Sequence, residues 1–252
     1  MKKVLFLFLM IANSITAQSV DSLFTTANEL YKNGSFEAAI EKYKKIESEK
    51  AISPELYLNL GNAYYKINKV GPTIYYYEKA LKIDPLNTDV KNNLVFAKRL
   101  ALDNIEEIPK TFFTQFNENY FQKLSYDTWA VIVVVFSFLA SVLFLLFYFA
   151  HTPIKKRFYF TTSSISFIVL IFTLFITYSQ YNQTKNKKEA IVFAEKTAVR
   201  NAPTLNSDEV FTIHEGTKVI VLDAIDNWKK IKLIDGKLGW IIADEIKLLN
   251  EI

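Results

Sequence analysis

Two stretches without a single charged side chain decide most of what this chain can become. No Lys, Arg, Asp or Glu occurs between Asp127 and Lys155, and none between Arg157 and Lys185. A helix of about 20 apolar residues crosses a hydrocarbon core of ~30 Å, and charge-free runs of that length are rare in soluble folds. Thr128–Ala150 and Phe158–Gln180 are therefore expected to be two transmembrane helices. Trp129, Tyr148, Tyr159 and Tyr178 fall near the ends of these spans, where an apolar ring with a polar edge is favoured.

The amino-terminal run MKKVLFLFLMIANSITAQS behaves differently. It opens on Lys2 and Lys3, carries an apolar stretch from Val4 to Ala12 too short to span, and continues with small or polar residues to Ala17. That order reads as a secretory signal over residues 1–17, although Ile15 fits poorly where a small residue is expected before the cut. Export of this run places everything up to Asp127 outside, and the hairpin then dips in and returns. HTPIKKR, residues 151–157, is left as the cytoplasmic loop. Lys155, Lys156 and Arg157 agree with that side, but Lys185, Lys187 and Lys188 behind the second span make the charge asymmetry small. The expected location is the inner (cytoplasmic) membrane, with both soluble regions periplasmic. The chain has no cysteine, so no disulfide can reinforce it in an oxidising compartment and packing alone must hold it. A net charge of +4 over 252 residues is too small to mark a nucleic-acid binder.

The first soluble region repeats itself at an offset of 34 residues, which aligns the segment from Leu23 with the segment from Tyr57. Ala27 matches Gly61, Asn28 matches Asn62, Tyr31 matches Tyr65, Lys32 matches Lys66 and Tyr43 matches Tyr77. Asn59, Leu60 and Ala63 recur once more as Asn93, Leu94 and Ala97. The pattern resembles the tetratricopeptide repeat, a helix-turn-helix unit of this period, with Pro85 in the place of its closing proline. Residues 18–102 are thus expected to form an all-α solenoid of two repeats and a capping helix, which is short, since each unit needs neighbours to bury its apolar face. In this repeat family the first helix of each unit lines a concave groove. The resemblance places Asn28, Tyr31, Lys32, Asn59, Asn62, Tyr65, Lys66 and Arg99 there, as a protein-binding or peptide-binding groove. The same residues also read as ordinary solvated helix positions, and position alone does not choose.

Residues 103–127 form an amphipathic linker in which Phe112, Phe113, Phe116, Tyr120, Phe121 and Leu124 recur at spacings of three and four. It is expected to lie on the outer leaflet, with packing against the repeat as the alternative. After residues 181–188 the texture changes to short alternating runs, with strands expected at Val210–Ile213, Lys218–Asp223, Trp228–Ile234 and Lys237–Ile242. Asp235-Gly236 is a hairpin signal. VRNAP at residues 199–203, EGTKV at 215–219, NWKKI at 227–231 and DGKLGW at 235–240 together resemble a bacterial SH3 domain, a small all-β barrel over residues 189–252. Trp240 reads as core. Trp228 sits near the shallow groove of such domains, where it can meet a ligand but more often packs.

No cysteine nucleophile, H-E-x-x-H, G-x-S-x-G or glycine-rich phosphate loop occurs, so neither an enzyme nor a cofactor or metal site is expected. His151 and His214 fall on opposite sides of the membrane in this scheme and share no metal. The order signal, helical repeat, two spans and SH3 barrel resembles the BatE family of the Bacteroides aerotolerance operon. That resemblance implies an envelope complex with von Willebrand A-domain membrane proteins. Peptidoglycan is the alternative partner, through the SH3-like region.

Overall fold

The computed structural model describes residues 20–106 and 108–249. The expected signal over residues 1–17 lies outside them. Two compact units emerge, one joining the chain up to Ile108 with Lys188 onward, the other spanning Pro109–Lys187.

The first unit begins with five helices: α1 over residues 20–32, α2 (Phe36–Ser48), α3 (Pro54–Lys66), α4 (Val70–Ile83) and α5 (Thr88–Lys98). Their ends are written in the sequence. Ser53 and Asn87 cap α3 and α5 by accepting from Leu56 N at 3.0 Å and Val90 N at 3.1 Å, and Gly34 turns the chain between α1 and α2 at φ +79°. Inside, small residues let helices approach: Ala27, Ala39, Ala63 and Ala80 are fully buried. A Cβ on Gly61 would stand 2.4 Å from the Tyr77 ring. The Lys79 ammonium is buried as well, 2.8 Å from Glu47 and 4.3 Å from the centroid of the Tyr57 ring, so its charge is met by a carboxylate and a π face.

Seven antiparallel strands follow: β1 (Lys188–Val192), β2 (Lys196–Arg200), β3 (Glu209–His214), β4 (Lys218–Ile225), β5 (Trp228–Lys232), β6 (Leu238–Ile242) and β7 (Ile246–Leu248), in the sheet order β3-β2-β6-β5-β4-β1-β7. Ala190, Val192, Val199, Ile213, Val219, Val221, Ile231 and Ile241 fill the interior. The β5–β6 turn differs from a two-residue hairpin: Leu233 N bonds Lys237 O and Gly236 N bonds Leu233 O, and only Gly236, at φ +91°, is left-handed. The Asp235 carboxylate accepts from Lys237 N instead, an Asx arrangement that closes a wider loop. Trp240 is buried, as expected of a core residue, outside the cluster that fills the interior. It alternates with Ile241 and so takes the outer face, in register with Arg200 of β2 and Lys230 of β5.

The barrel closes the helical repeat. Ile191 and Leu249 belong to the same buried cluster as the helices, with Phe193 packed against it. One stripe of α4 makes the joint. Gly71 N donates to Glu215 at 3.1 Å, Ile74 packs on Gly216, Tyr75 meets Phe193 edge-on at 5.4 Å, Glu78 pairs with Lys218 at 2.9 Å and Lys82 with Glu189 at 3.5 Å. One repeat earlier, the matching residues of α2 are Glu37, Ile40, Glu41, Lys44 and Ser48, of which all but Ile40 are exposed. The stretch after α5 also lies on the barrel: Asp103 accepts from His214 N at 2.7 Å, His214 Nδ1 at 2.8 Å and the Thr217 hydroxyl, Ile105 packs on the barrel interior, and Ile108 touches Gly236.

The second unit holds a short helix α6 (Phe112–Phe116), a π-helical turn (Asn117–Phe121) and two long helices, α7 (Tyr126–Phe149) and α8 (Pro153–Asn186). Both long helices are long and apolar enough to cross a membrane. Thr152 precedes α8 and Pro153 is its first residue, a favoured place for proline because no N–H is wasted there. Lys155, Lys156 and Arg157 therefore ride on the first turns of α8, and the connection is shorter than residues 151–157. The two helices touch through small residues, with Ser163 Oγ donating to Ala140 O at 3.2 Å and Ser166 Oγ to Phe136 O at 3.3 Å.

Candidate binding cleft and barrel face

The 34-residue repeat carries a side-chain ladder. Asn28 Oδ1 accepts from the Tyr43 hydroxyl at 2.6 Å and from Asn59 Nδ2 at 3.0 Å. One repeat on, Asn62 Oδ1 accepts from the Tyr77 hydroxyl at 2.7 Å and from Asn93 Nδ2 at 3.0 Å. Each rung ties a first helix to its own second helix and to the first helix of the next unit. Burial pushes the Tyr43 hydroxyl up to about 12 and raises Tyr77 also, so both remain donors at neutral pH.

The ladder ends at Phe96, which stands 34 residues after Asn62. At that end opens a cleft of about 310 Å³ lined by Tyr31, Asn62, Tyr65, Lys66, Tyr77, Asn93 and Phe96. Of the residues expected in a groove, the fold gathers Tyr31, Asn62, Tyr65 and Lys66 here. Asn28 and Asn59 are joined to each other in the first rung. Lys32 is exposed outside the lining, and Arg99 follows α5, its guanidinium 5.4 Å from the Phe96 ring. Tyr77, Asn93 and Phe96 were not among the expected groove residues. The 34-residue spacing of Tyr77 from Tyr43 and of Asn93 from Asn59 was the available signal; Phe96 breaks the repeat and gave none.

What the cleft can do follows from which atoms are left over. Both Asn62 lone-pair directions are used within the ladder, so its carboxamide orientation is fixed and its Nδ2 has no partner among the described residues. Lys66 is exposed and forms no ion pair among the described residues. The cleft thus offers N–H donors and a cation between aromatic faces, which suits an acceptor-rich segment with an apolar side chain. Among the described residues, no group of three or more His, Asp or Glu side chains is placed to hold a metal ion.

On the barrel, Trp228 is partly exposed and pairs in register with Ile225 of β4 and Ile242 of β6. Lys230 lies on the same face, its ammonium 6.0 Å from the Trp240 ring centroid. β2 lies beside β6 in the seven-stranded antiparallel sheet, with Gly239 under Val199 where a Cβ would collide at 2.4 Å. Residues 195–247 match the bacterial SH3 domain family. The SH3 reading of the sequence is borne out over that span, and an SH3 domain of this kind points to protein or peptidoglycan binding. No curated protein matches the chain. Within the matched span, Trp228 and Lys230 are half-buried beside the exposed Ile225, while Trp240 is buried and structural.

Proposed function

We propose that this chain is a non-enzymatic scaffold of the cell envelope, held in the inner membrane by α7 and α8, with the helical repeat and SH3 domain on the periplasmic side. The repeat is read as a tetratricopeptide solenoid of two units and a cap. The observation that carries the binding role is the cleft at the ladder's end, where Lys66 and the Asn62 carboxamide stand open between Tyr31, Tyr65 and Phe96. The resemblance to the BatE family implies an envelope complex with von Willebrand A-domain proteins and a link to oxygen or stress tolerance.

The test is affinity capture from detergent-solubilised membranes with the full chain as bait. Replacing the exposed Lys66 by Glu is expected to reduce recovery of protein partners while the melting transition is unchanged. Undiminished recovery would remove the cleft from the account. The family match favours a second reading, a peptidoglycan tether through the SH3 domain. Co-sedimentation of the full chain with purified cell wall, weakened by Trp228→Ala, is its expected signature, and failure to co-sediment would exclude it.

A further inference from the structure

The carbonyl of Phe121 closes the π-helical turn of the second unit and is met by both long helices. Trp129 Nε1 of α7 donates to it at 2.9 Å, and Gln180 Nε2 of α8 donates to the same oxygen. Gln122 adds a third tie, to Gln183 Oε1 at 3.0 Å. A helix end leaves its last carbonyls without intrahelical partners, and here side chains of the two long helices supply them. The π turn also divides the aromatic residues, which as one uninterrupted α-helix would share a single face. Phe121 turns inward, edge-on to Trp129 at 6.2 Å and Phe172 at 6.0 Å. Phe112, Phe113, Phe116 and Tyr120 turn outward and are exposed, with Phe116 and Tyr120 in contact at 4.6 Å.

We infer that residues 112–121 form an in-plane membrane anchor, pinned at the level of Trp129 and Gln180, whose outward aromatic face is covered by the headgroup and acyl boundary of a lipid surface. The occupant follows from continuity. The aromatic face is held to the same helix ends from which the exposed apolar surfaces of α7 and α8 begin, and Trp129 and Tyr126 mark those ends as interfacial. This inference rests on the reading that α7 and α8 span a membrane.

The chain has no cysteine, so Phe113→Cys or Tyr120→Cys in the full chain provides a single labelling site at an exposed position. With an environment-sensitive fluorophore there and the protein in phosphatidylcholine/phosphatidylglycerol vesicles, lipids carrying a quencher near the headgroup should remove more emission than lipids quenched deep in the chain. Leu139→Cys, in the middle of α7, should show the reverse order. If Leu139 is quenched deeply and both anchor positions remain unquenched, the anchor is overturned while the membrane reading survives. If Leu139 also escapes quenching, the spanning helices themselves are wrong and the anchor falls with them.

Discussion

Lys218 of β4 and Glu78 of α4 meet at 2.9 Å, and that contact joins the barrel to the repeat through a chain of charges. Lys98 reaches Glu78 at 3.4 Å, and Glu189 reaches Lys218 at 3.2 Å. Burial alone would raise the Glu78 pKa, but Lys218 and Lys98 outweigh it and hold the carboxyl below its ordinary value. Burial likewise would lower Lys218, and Glu78 with Glu189 outweigh it and raise the ammonium. Each charge is tolerable at the joint only because its partner is present.

Removing one partner should therefore cost more than removing both. Glu78→Gln is expected to destabilise the repeat-barrel unit by about 2 kcal/mol, below the ~3–5 kcal/mol of a fully buried pair, because the Lys218 side chain keeps 31% of its exposure. A double-mutant cycle with Lys218→Met, followed by thermal unfolding, should show a favourable coupling energy. Additive losses would mean the pair contributes nothing to docking.

Gly61→Ala gains helix propensity of about 1 kcal/mol yet places a methyl 2.4 Å from the Tyr77 ring. That ring is buried and tied by its hydroxyl to Asn62, so it has nowhere to move. Overpacking costs typically ~1–3 kcal/mol, and the net expectation is a lower melting temperature. Ala27 fills the matching place in the first repeat, so a neutral outcome would show that α3 and α4 can relax to a similar spacing.

Asp103 sets the acid limit of the joint. Burial would raise its pKa, but hydrogen bonds from Thr217 and His214 outweigh this and hold the carboxyl low. A carboxyl depressed on folding stabilises above its unfolded value, near ~3.9, and that contribution is lost as pH falls further toward the folded value. Glu78 carries the same sign. The melting temperature of the repeat-barrel unit is thus expected to fall only below about pH 4 as far as Asp103 is concerned, and Asp103→Asn should flatten this dependence while lowering the melting temperature at higher pH. A profile for Asp103→Asn identical to that of the parent chain would contradict the role.

Much of this architecture was legible because each element has a strong local signature. Charge-free runs gave α7 and α8, the 34-residue register gave α1 to α5, and four ordered motifs gave the barrel. The joint was harder to read, since it depends on a difference between repeats: Gly71, Tyr75 and Lys82 occupy the stripe that Glu37, Glu41 and Ser48 leave to solvent one unit earlier. Trp240 is buried as expected, but the face it takes was hard to read for a related reason. Its neighbour Ile241 already fills the interior, so period-two alternation sends the larger ring outward, where strand neighbours bury it. In the cleft, the asparagine oxygens that suited a peptide backbone are consumed by tyrosine hydroxyls from the second helices and by the next asparagine, a pairing visible only once those helices are in place, and the Asn62 amide nitrogen is left over. Tyr31, Tyr65 and Lys66 keep the accessible chemistry.

Repeat and barrel are one docked body and not two tethered modules. Spin labels on Lys44→Cys of α2 and Lys232→Cys of β5, both exposed positions, can be measured by pulsed electron resonance in the full chain reconstituted in lipid. A single narrow distance distribution, broadened by Glu78→Gln, is the predicted result. A broad distribution in the parent chain, unchanged by that substitution, would contradict it.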